Sequence, residues 1–287
     1  TLFDSYAPQA KKLIVNIDRD QLENLNVEFD LKMVSDLRDY IAWAEAQDLP
    51  EYKWVDGPEI KQQNWYSPPE GERPNSNVFV HRLTERAPAG TCLVVDGGGT
   101  ALYAGFQSSV LKRGDRIICS SAISAMGTGL AETIGASKCG KFSKLLCVIG
   151  DGSFLMNIQE LATCYCEKLP VKVMLLNNQH LGMVVQWEDR FYAGNRAHTY
   201  LGPIDQAEAI GKGEGPFAST RYPDFVSIAK GFGCGAATVS KKSDLTSALQ
   251  EMIDYPGPFV LDVEVPYQEH VLPMIPSGHT VDDMIRE

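Results

Sequence analysis

The chain has 287 residues, 44% of them hydrophobic and 22% charged, enough apolar mass for one large or two modest globular domains and outside the ranges of disordered, collagenous or coiled-coil proteins. Lys and Arg number 26 against 37 Asp and Glu, a net charge of −11, so neither nucleic acid nor an anionic membrane is an expected partner, and any bound phosphate needs a local device. Apolar runs such as Leu145 to Ile149 and Val171 to Leu176 fall far short of the roughly 20 residues of a membrane helix. The seven cysteines are scattered with no metal-type pair and read as reduced, mostly buried core residues of a cytoplasmic protein, or of a plastid or mitochondrial one in a eukaryote. No signal-peptide pattern opens the chain.

In chain order, apolar strands are expected at Lys12 to Asp20 and Val27 to Asp36, in a short α/β piece closing near Trp43. Residues 44–77 carry Pro50, Pro58, Pro68, Pro69 and Pro74 among polar residues and read as a linker. From Val78 the pattern alternates. A helix near Phe79 to Arg86 leads to a strand at Thr91 to Val95, the turn Asp96-Gly97-Gly98-Gly99 and a helix at Leu102 to Leu111. A strand at Arg116 to Cys119, a glycine-punctuated stretch from Met126 to Ala136 and a strand at Lys144 to Ile149 come next. One helix is expected from Ser153 to Lys168, then a strand at Val171 to Leu176. A final pair of strands, Ala236 to Val239 and Phe259 to Val265, flanks a helix at Ser243 to Ile253. Short apolar strands alternating with helices predict an α/β fold with a mostly parallel, doubly wound sheet covered on both faces. Ligands then belong at the carboxyl ends of the strands.

The most informative stretch is Gly150-Asp151-Gly152-Ser153, where a strand runs into glycines and a helix start. Such a turn can present backbone N–H groups to an anion, and a carboxylate beside a phosphate makes sense if a divalent cation lies between them. Alone, the stretch is equally a plain strand-to-helix turn with Asp151 near the cap. Asn177-Asn178 stands at the end of the next strand, with Asn178 27 residues after Asp151. Adjacent parallel strands joined by one crossover bring these ends to a shared rim.

Gly-Asp-Gly followed at this spacing by Asn-Asn is the signature of thiamine diphosphate enzymes. The run Asn177 to Tyr192, the stretch Asn195-Arg196-Ala197-His198-Thr199 and the tail Gln268 to Gly278 resemble the acetohydroxyacid synthase (acetolactate synthase) catalytic subunit, especially its plant form. The resemblance implies Mg²⁺ held by Asp151, Asn178 and the His180 carbonyl, with the diphosphate on N–H groups of Gly152, Ser153 and Gly182. It makes Met126 the wedge between the cofactor rings, with Ser124 and Met126 backbone atoms on the pyrimidine. Met183 would border the reacting carbon, Trp187 would shape the pocket for the second 2-keto acid, and Ser277 would close over it. Ordinary core filling for Met126 and a packing anchor on a polar loop for Trp187 are the competing readings. Where the family usually has Gln-His-Gln-Met-Trp, this chain has Gly99-Thr100-Ala101-Leu102-Tyr103; backbone N–H groups at Gly99 and Thr100 and the Thr100 hydroxyl could still hold a phosphate. Thr128 to Glu132 departs from the family's Leu-Pro-Ala-Ala in the same way.

The same resemblance implies an FAD in the full-length enzyme, with Asp18 and Asp36 at positions contacting its adenosine end; solvated acids at strand ends fit these two equally well. It also implies a glutamate from the N-terminal pyrimidine-binding half of a neighbouring subunit, which no residue here matches. The chain is therefore expected to be 1–43, the end of a central FAD-type domain; 44–77, linker; and 78–287, a thiamine diphosphate domain with a C-terminal lid, working in a homodimer or tetramer. Gln186 to Leu201 and Pro266 to Glu287 are expected to be lid segments, and residues 203–220 a flexible insertion. The implied activity is decarboxylation of pyruvate and condensation with a second 2-keto acid, in branched-chain amino acid biosynthesis. Rival readings are a thiamine diphosphate carboligase or decarboxylase with an aldehyde or sugar acceptor, and a non-catalytic cofactor-binding or assembly module.

Overall fold

Strands buried on both faces are apolar at most positions, and β3 (Thr91–Val95), β5 (Lys144–Gly150), β6 (Val171–Asn177) and β8 (Phe259–Glu264) are such runs apart from polar residues such as Lys172 and Asp262. In the computed structural model, which describes residues 6–48, 72–203 and 222–286, they form the centre of a six-stranded parallel sheet. Its order is β4-β3-β5-β6-β8-β7, with β4 (Arg116–Ile118) and β7 (Gly235–Val239) at the edges. Alternate residues of each strand feed opposite cores. Leu146, Val148, Met174, Leu176, Leu261 and Val263 pack under Phe79, Val80 and Leu83 of α3 (Ser76–Arg86) and Ala101 and Ala104 of α4 (Gly99–Ser108). Cys147, Ile149, Val173, Leu175 and Val260 pack on the other face with Leu130 of α5 (Thr128–Lys138), Phe154 of α6 (Asp151–Met156) and Leu161 of α7 (Leu161–Cys166). Each fully buried Leu or Phe contributes about 1.5–3 kcal/mol. The doubly wound fold expected from the sequence is the observed one.

The chain leaves β3 toward one edge, to β4, and returns on the other side of β3 to β5. A crevice opens where neighbouring crossovers diverge in this way. Three helices begin at that end: α4, α6 and α8 (Gly182–Phe191). Among the described residues, two further α-helices follow, α9 (Phe225–Gly231) and α10 (Leu245–Asp254).

At the opposite end, Lys172 of β6 is fully buried and its Nζ donates to the carbonyls of Tyr255 (2.5 Å) and Gly257 (2.6 Å). Burial lowers its pKa to about 8.

Several elements differ from expectation. The single helix expected over Ser153 to Lys168 is broken at Asn157 into α6, a 3₁₀ turn at Ile158–Glu160 and α7, because Asn157 turns its Nδ2 to the carbonyl of Gly127 (2.9 Å). Helix α4 starts at Gly99, three residues earlier than expected, directly out of the glycine turn. The expected linker loses both ends to helices: residues 44–45 belong to α2 (Leu37–Glu45) and 76–77 to α3, capped by Asn75. Its residues 49–71, like most of the expected insertion at 203–220, lie outside the described residues.

The chain divides into two compact units, 66–271 and a smaller one made of 1–65 and 272–287. In the smaller, β1 (Leu13–Asn16) and β2 (Leu31–Val34) pair in parallel around α1 (Arg19–Glu23). The strands are shorter than predicted because Asp18 and Asp36 start helices: Asp18 accepts from the N–H of Gln21 (3.1 Å) and Asp36 from that of Arg38 (2.8 Å). In the tail part, Met274 and Ile285 exchange both backbone hydrogen bonds and Ser277 is exposed on the intervening turn. All seven cysteines are free; Cys92, Cys147, Cys164 and Cys234 are buried, whereas Cys139 and Cys166 are exposed. Among the described residues no helix is long and apolar enough to cross a membrane.

Candidate functional site

The loops after β3, β5 and β6 meet at atomic contact. A Cβ on Gly98 would lie 2.9 Å from Ser153 Oγ, one on Gly99 2.9 Å from Met183 Cβ, and one on Gly182 2.7 Å from Asn178 Nδ2 and 3.2 Å from Thr100 Oγ1. Only glycine allows this approach, and the result is a cleft with an open volume of about 590 Å³. Gly99, Thr100, Met126, Asp151, Gly152, Ser153, Asn178, His180, Gly182 and Met183 line it, with Leu176, Leu181, Val184 and Val265 as apolar wall. The N-termini of α4, α6 and α8 all open there, so first-turn N–H groups and the positive helix ends converge on one space.

Asp151 ties two of the loops together. One carboxylate oxygen accepts from the N–H of Gly152 (2.8 Å), the other from the N–H of Gln179 (2.5 Å). Burial pushes its pKa up to about 7, those N–H groups pull it back in part, and the nearby Asp262 carboxylate adds to the rise. Asn178 Oδ1 accepts from the N–H of His180 (2.9 Å), with Gln179 between them in the left-handed region at φ 56°. The His180 ring turns its Nδ1 to the Asn178 carbonyl (2.8 Å) and stacks on Tyr267 at 4.7 Å. Burial depresses its pKa, which disfavours the charged ring. Ser153 Oγ and His180 Nε2 are buried without a partner among the described residues.

Of the residues predicted to touch the thiamine cofactor or shape the pocket within 66–271, Ser124 and Trp187 are absent from the cleft lining. Ser124, in the left-handed region at φ 53°, lies behind Gly97, where its carbonyl would be 2.5 Å from an added Cβ. Trp187 is not on a polar loop: it sits on α8, 39% exposed, with its ring 4.8 Å from that of Phe191. The expected lid at Gln186 to Leu201 therefore begins as helix, with Val185, Gln186 and Glu188 buried. The other expected lid divides: Val271 and Gln186 exchange two hydrogen bonds (2.7 and 3.1 Å) and His270 meets Asp189 (3.0 Å), while 272–286 belongs to the smaller unit.

Asp96, read from sequence only as part of a turn, is wholly buried, and its Oδ2 accepts from Gly127 (3.0 Å) and Gly129 (2.8 Å). It thereby holds the loop that presents Met126 to the cleft. A lone Asp before three glycines was the available signal. Among the described residues no three His, Cys, Asp or Glu side chains gather as a metal cluster. A cation at this rim would rest on one carboxylate plus amide and carbonyl oxygens, a set suited to a hard ion that keeps other ligands of its own.

The chain belongs to the thiamine pyrophosphate enzyme family: residues 97–263 match its C-terminal TPP binding domain. It is 42% identical over 264 residues to acetolactate synthase 1, chloroplastic, of Oryza sativa subsp. japonica, a match covering 92% of this chain and 38% of that protein. It is 49% identical over 207 residues to acetolactate synthase 2, chloroplastic, of Zea mays, covering 72% and 31%. The match to acetolactate synthase, chloroplastic, of Arabidopsis thaliana is 46% over 209 residues, covering 73% and 30%. The chain thus spans well under half the length of these relatives. Among solved structures, the thiamine diphosphate-dependent 4-hydroxybenzoylformate decarboxylase of Rhodococcus jostii RHA1 shares the fold, with a TM-score of 0.67 at 18% identity over 91% of this chain and 45% of that one.

Proposed function

We propose that this chain is the cofactor-binding part of an acetolactate synthase-type enzyme, which condenses pyruvate with a second 2-keto acid. The observation carrying this reading is the meeting of Asp151, Asn178 and three helix N-termini around one cleft. The orphaned Ser153 hydroxyl and the bare glycine contacts are what a diphosphate would fill. Asp151, Asn178 and the His180 carbonyl would hold Mg²⁺, which also relieves the cost of a buried Asp151 carboxylate. Backbone N–H groups of Gly152, Ser153 and Gly182, with the Thr100 hydroxyl, would hold the diphosphate. Thiamine diphosphate supplies a carbon nucleophile and an electron sink for decarboxylation. Met126 would pack against its rings, Met183 would border the reacting carbon, and Leu176, Leu181 and Val265 would exclude water, as their places in the cleft lining allow.

Trp187, exposed on α8, is assigned to the acceptor side. Gly99 to Tyr103 in place of the family's usual Gln-His-Gln-Met-Trp favours, as a second reading, a different acceptor such as an aldehyde. The activating glutamate and the opposite wall of the site are assigned to an N-terminal pyrimidine-binding half in a homodimer or tetramer, and the compartment to the plastid, as the relatives' names suggest. No flavin contact is assigned to Asp18 or Asp36. Asp18 caps α1, and both oxygens of Asp36 are engaged by Arg38 (2.9 and 3.1 Å); no step depends on FAD.

Product analysis of the full-length protein with pyruvate, Mg²⁺ and thiamine diphosphate is the test. Acetolactate and CO₂ are expected. Tight cofactor binding without acetolactate, but with product from an aldehyde acceptor, would replace this reading by the second.

A further inference from the structure

We infer that Glu188 is a positioning residue for the cation-binding loop, an assignment that rests on the reading of Asp151, Asn178 and His180 as that site. Glu188 lies on α8, 4% exposed, away from the cleft lining. A carboxylate that buried is costly unless several donors satisfy it. Among the described residues its side-chain donors come from one segment: the N–H of Ala197 at 2.7 Å, the Thr199 hydroxyl at 3.0 Å and Arg196 at 3.3 Å.

That segment has a second task. Immediately after the clasp it runs antiparallel to the cation loop: the N–H of Leu181 donates to the Thr199 carbonyl (2.8 Å) and that of Leu201 to the Gln179 carbonyl (2.9 Å), around a bridge between His180 and Tyr200. Gln179 needs such support. It sits in the left-handed region, where a residue with a Cβ is disfavoured, and its N–H and that of His180 orient the Asp151 and Asn178 side chains. Glu188 thus fixes the segment, the segment fixes Gln179 to Leu181, and that loop aims the ligand oxygens. The carboxylate acts three contacts from the cation without touching it, as outer partners of metal ligands do.

The test compares Glu188→Ala and Glu188→Gln in the full-length protein, by hydrogen exchange without cofactor and by the Mg²⁺ requirement for thiamine diphosphate binding in calorimetry. The Gln amide oxygen can still accept from Ala197 or Thr199. In Glu188→Ala, exchange at the Leu181 and Leu201 amides should quicken about tenfold while Val148 in β5 stays protected, and the half-saturating Mg²⁺ concentration should rise about tenfold or more. Glu188→Gln should restore most of both. Unchanged exchange at Leu181 and Leu201, an unchanged Mg²⁺ requirement in Glu188→Ala, or loss of Val148 protection in both variants would overturn the inference. Cofactor binding by the unmodified protein that ignores Mg²⁺ would instead sink the cation-site reading, and the exchange at Leu181 and Leu201 would still decide whether Glu188 holds the loop.

Discussion

The backbone N–H of Gln179 donates to Asp151 Oδ2 across 2.5 Å, so the ends of two neighbouring strands are joined by the side chain assigned to the cation. Removing that carboxylate takes away a ligand oxygen and the tie between the loops together. In Asp151→Ala, Mg²⁺-dependent thiamine diphosphate affinity should fall by at least about tenfold, beyond the loss of an outer-sphere contact, and Asn178→Ala should do the same. Calorimetry showing unchanged affinity in either variant would remove these residues from the site.

Gly182 offers a steric test of the same loop. An added Cβ would stand 2.7 Å from Asn178 Nδ2, and Gly182 is the first residue of α8, where Ala is otherwise favourable. Gly182→Ala should keep the unfolding midpoint close to that of the parent while weakening cofactor binding, by displacing Asn178. A variant that binds the cofactor normally would show that the Asn178 amide can move without consequence.

Glu269 supplies a pH dependence. Its buried carboxyl has a pKa raised to about 7 by burial, while the Ser76 N–H (3.0 Å) and hydroxyl at the start of α3 pull it partly back. A raised folded-state pKa means that the native protein holds a proton the unfolded chain has lost. This contribution to stability is full below about 4.5 and drains away as pH rises to about 7. Glu269→Gln lacks it, so the variant should gain in urea midpoint relative to the parent between those pH values and hold a constant difference above. Parallel curves for the two proteins would contradict the assignment.

Lys172 allows a change that touches stability alone. Its ammonium satisfies the Tyr255 and Gly257 carbonyls at the end of the sheet away from the cleft. Lys172→Met should cost about 1–3 kcal/mol through the acceptors left unpaired, with cofactor affinity unchanged. Chemical denaturation and calorimetry on the same preparation read both quantities, and equal stability would mean that these carbonyls find other donors.

The sheet was legible because parallel strands buried on both faces leave nearly continuous apolar runs, and Val171 to Leu176 is one of these despite Lys172. The cleft was legible because glycines and an Asp–Asn pair recur at strand ends. What escaped depends on contacts between distant residues. Nothing near Asn157 announces that its amide reaches Gly127 and breaks a helix. Trp187 was misplaced onto a loop because the Gly182-Met183 start of α8 looks like an extension of the metal-site loop. Nothing adjacent in sequence to Asp96 or Glu188 shows what binds them, and only the folded chain buries them against N–H donors supplied from elsewhere.

The starts of α4, α6 and α8 offer main-chain N–H groups to the cleft, and every residue except proline carries one. A phosphate held this way is largely indifferent to which side chains stand nearby. Gly99 to Tyr103 can therefore drift far from its relatives' sequence without forfeiting the cofactor, and such drift alters only what else fits beside it. On the proposed reading, a main-chain phosphate site and the side chains beside it could vary independently along this loop.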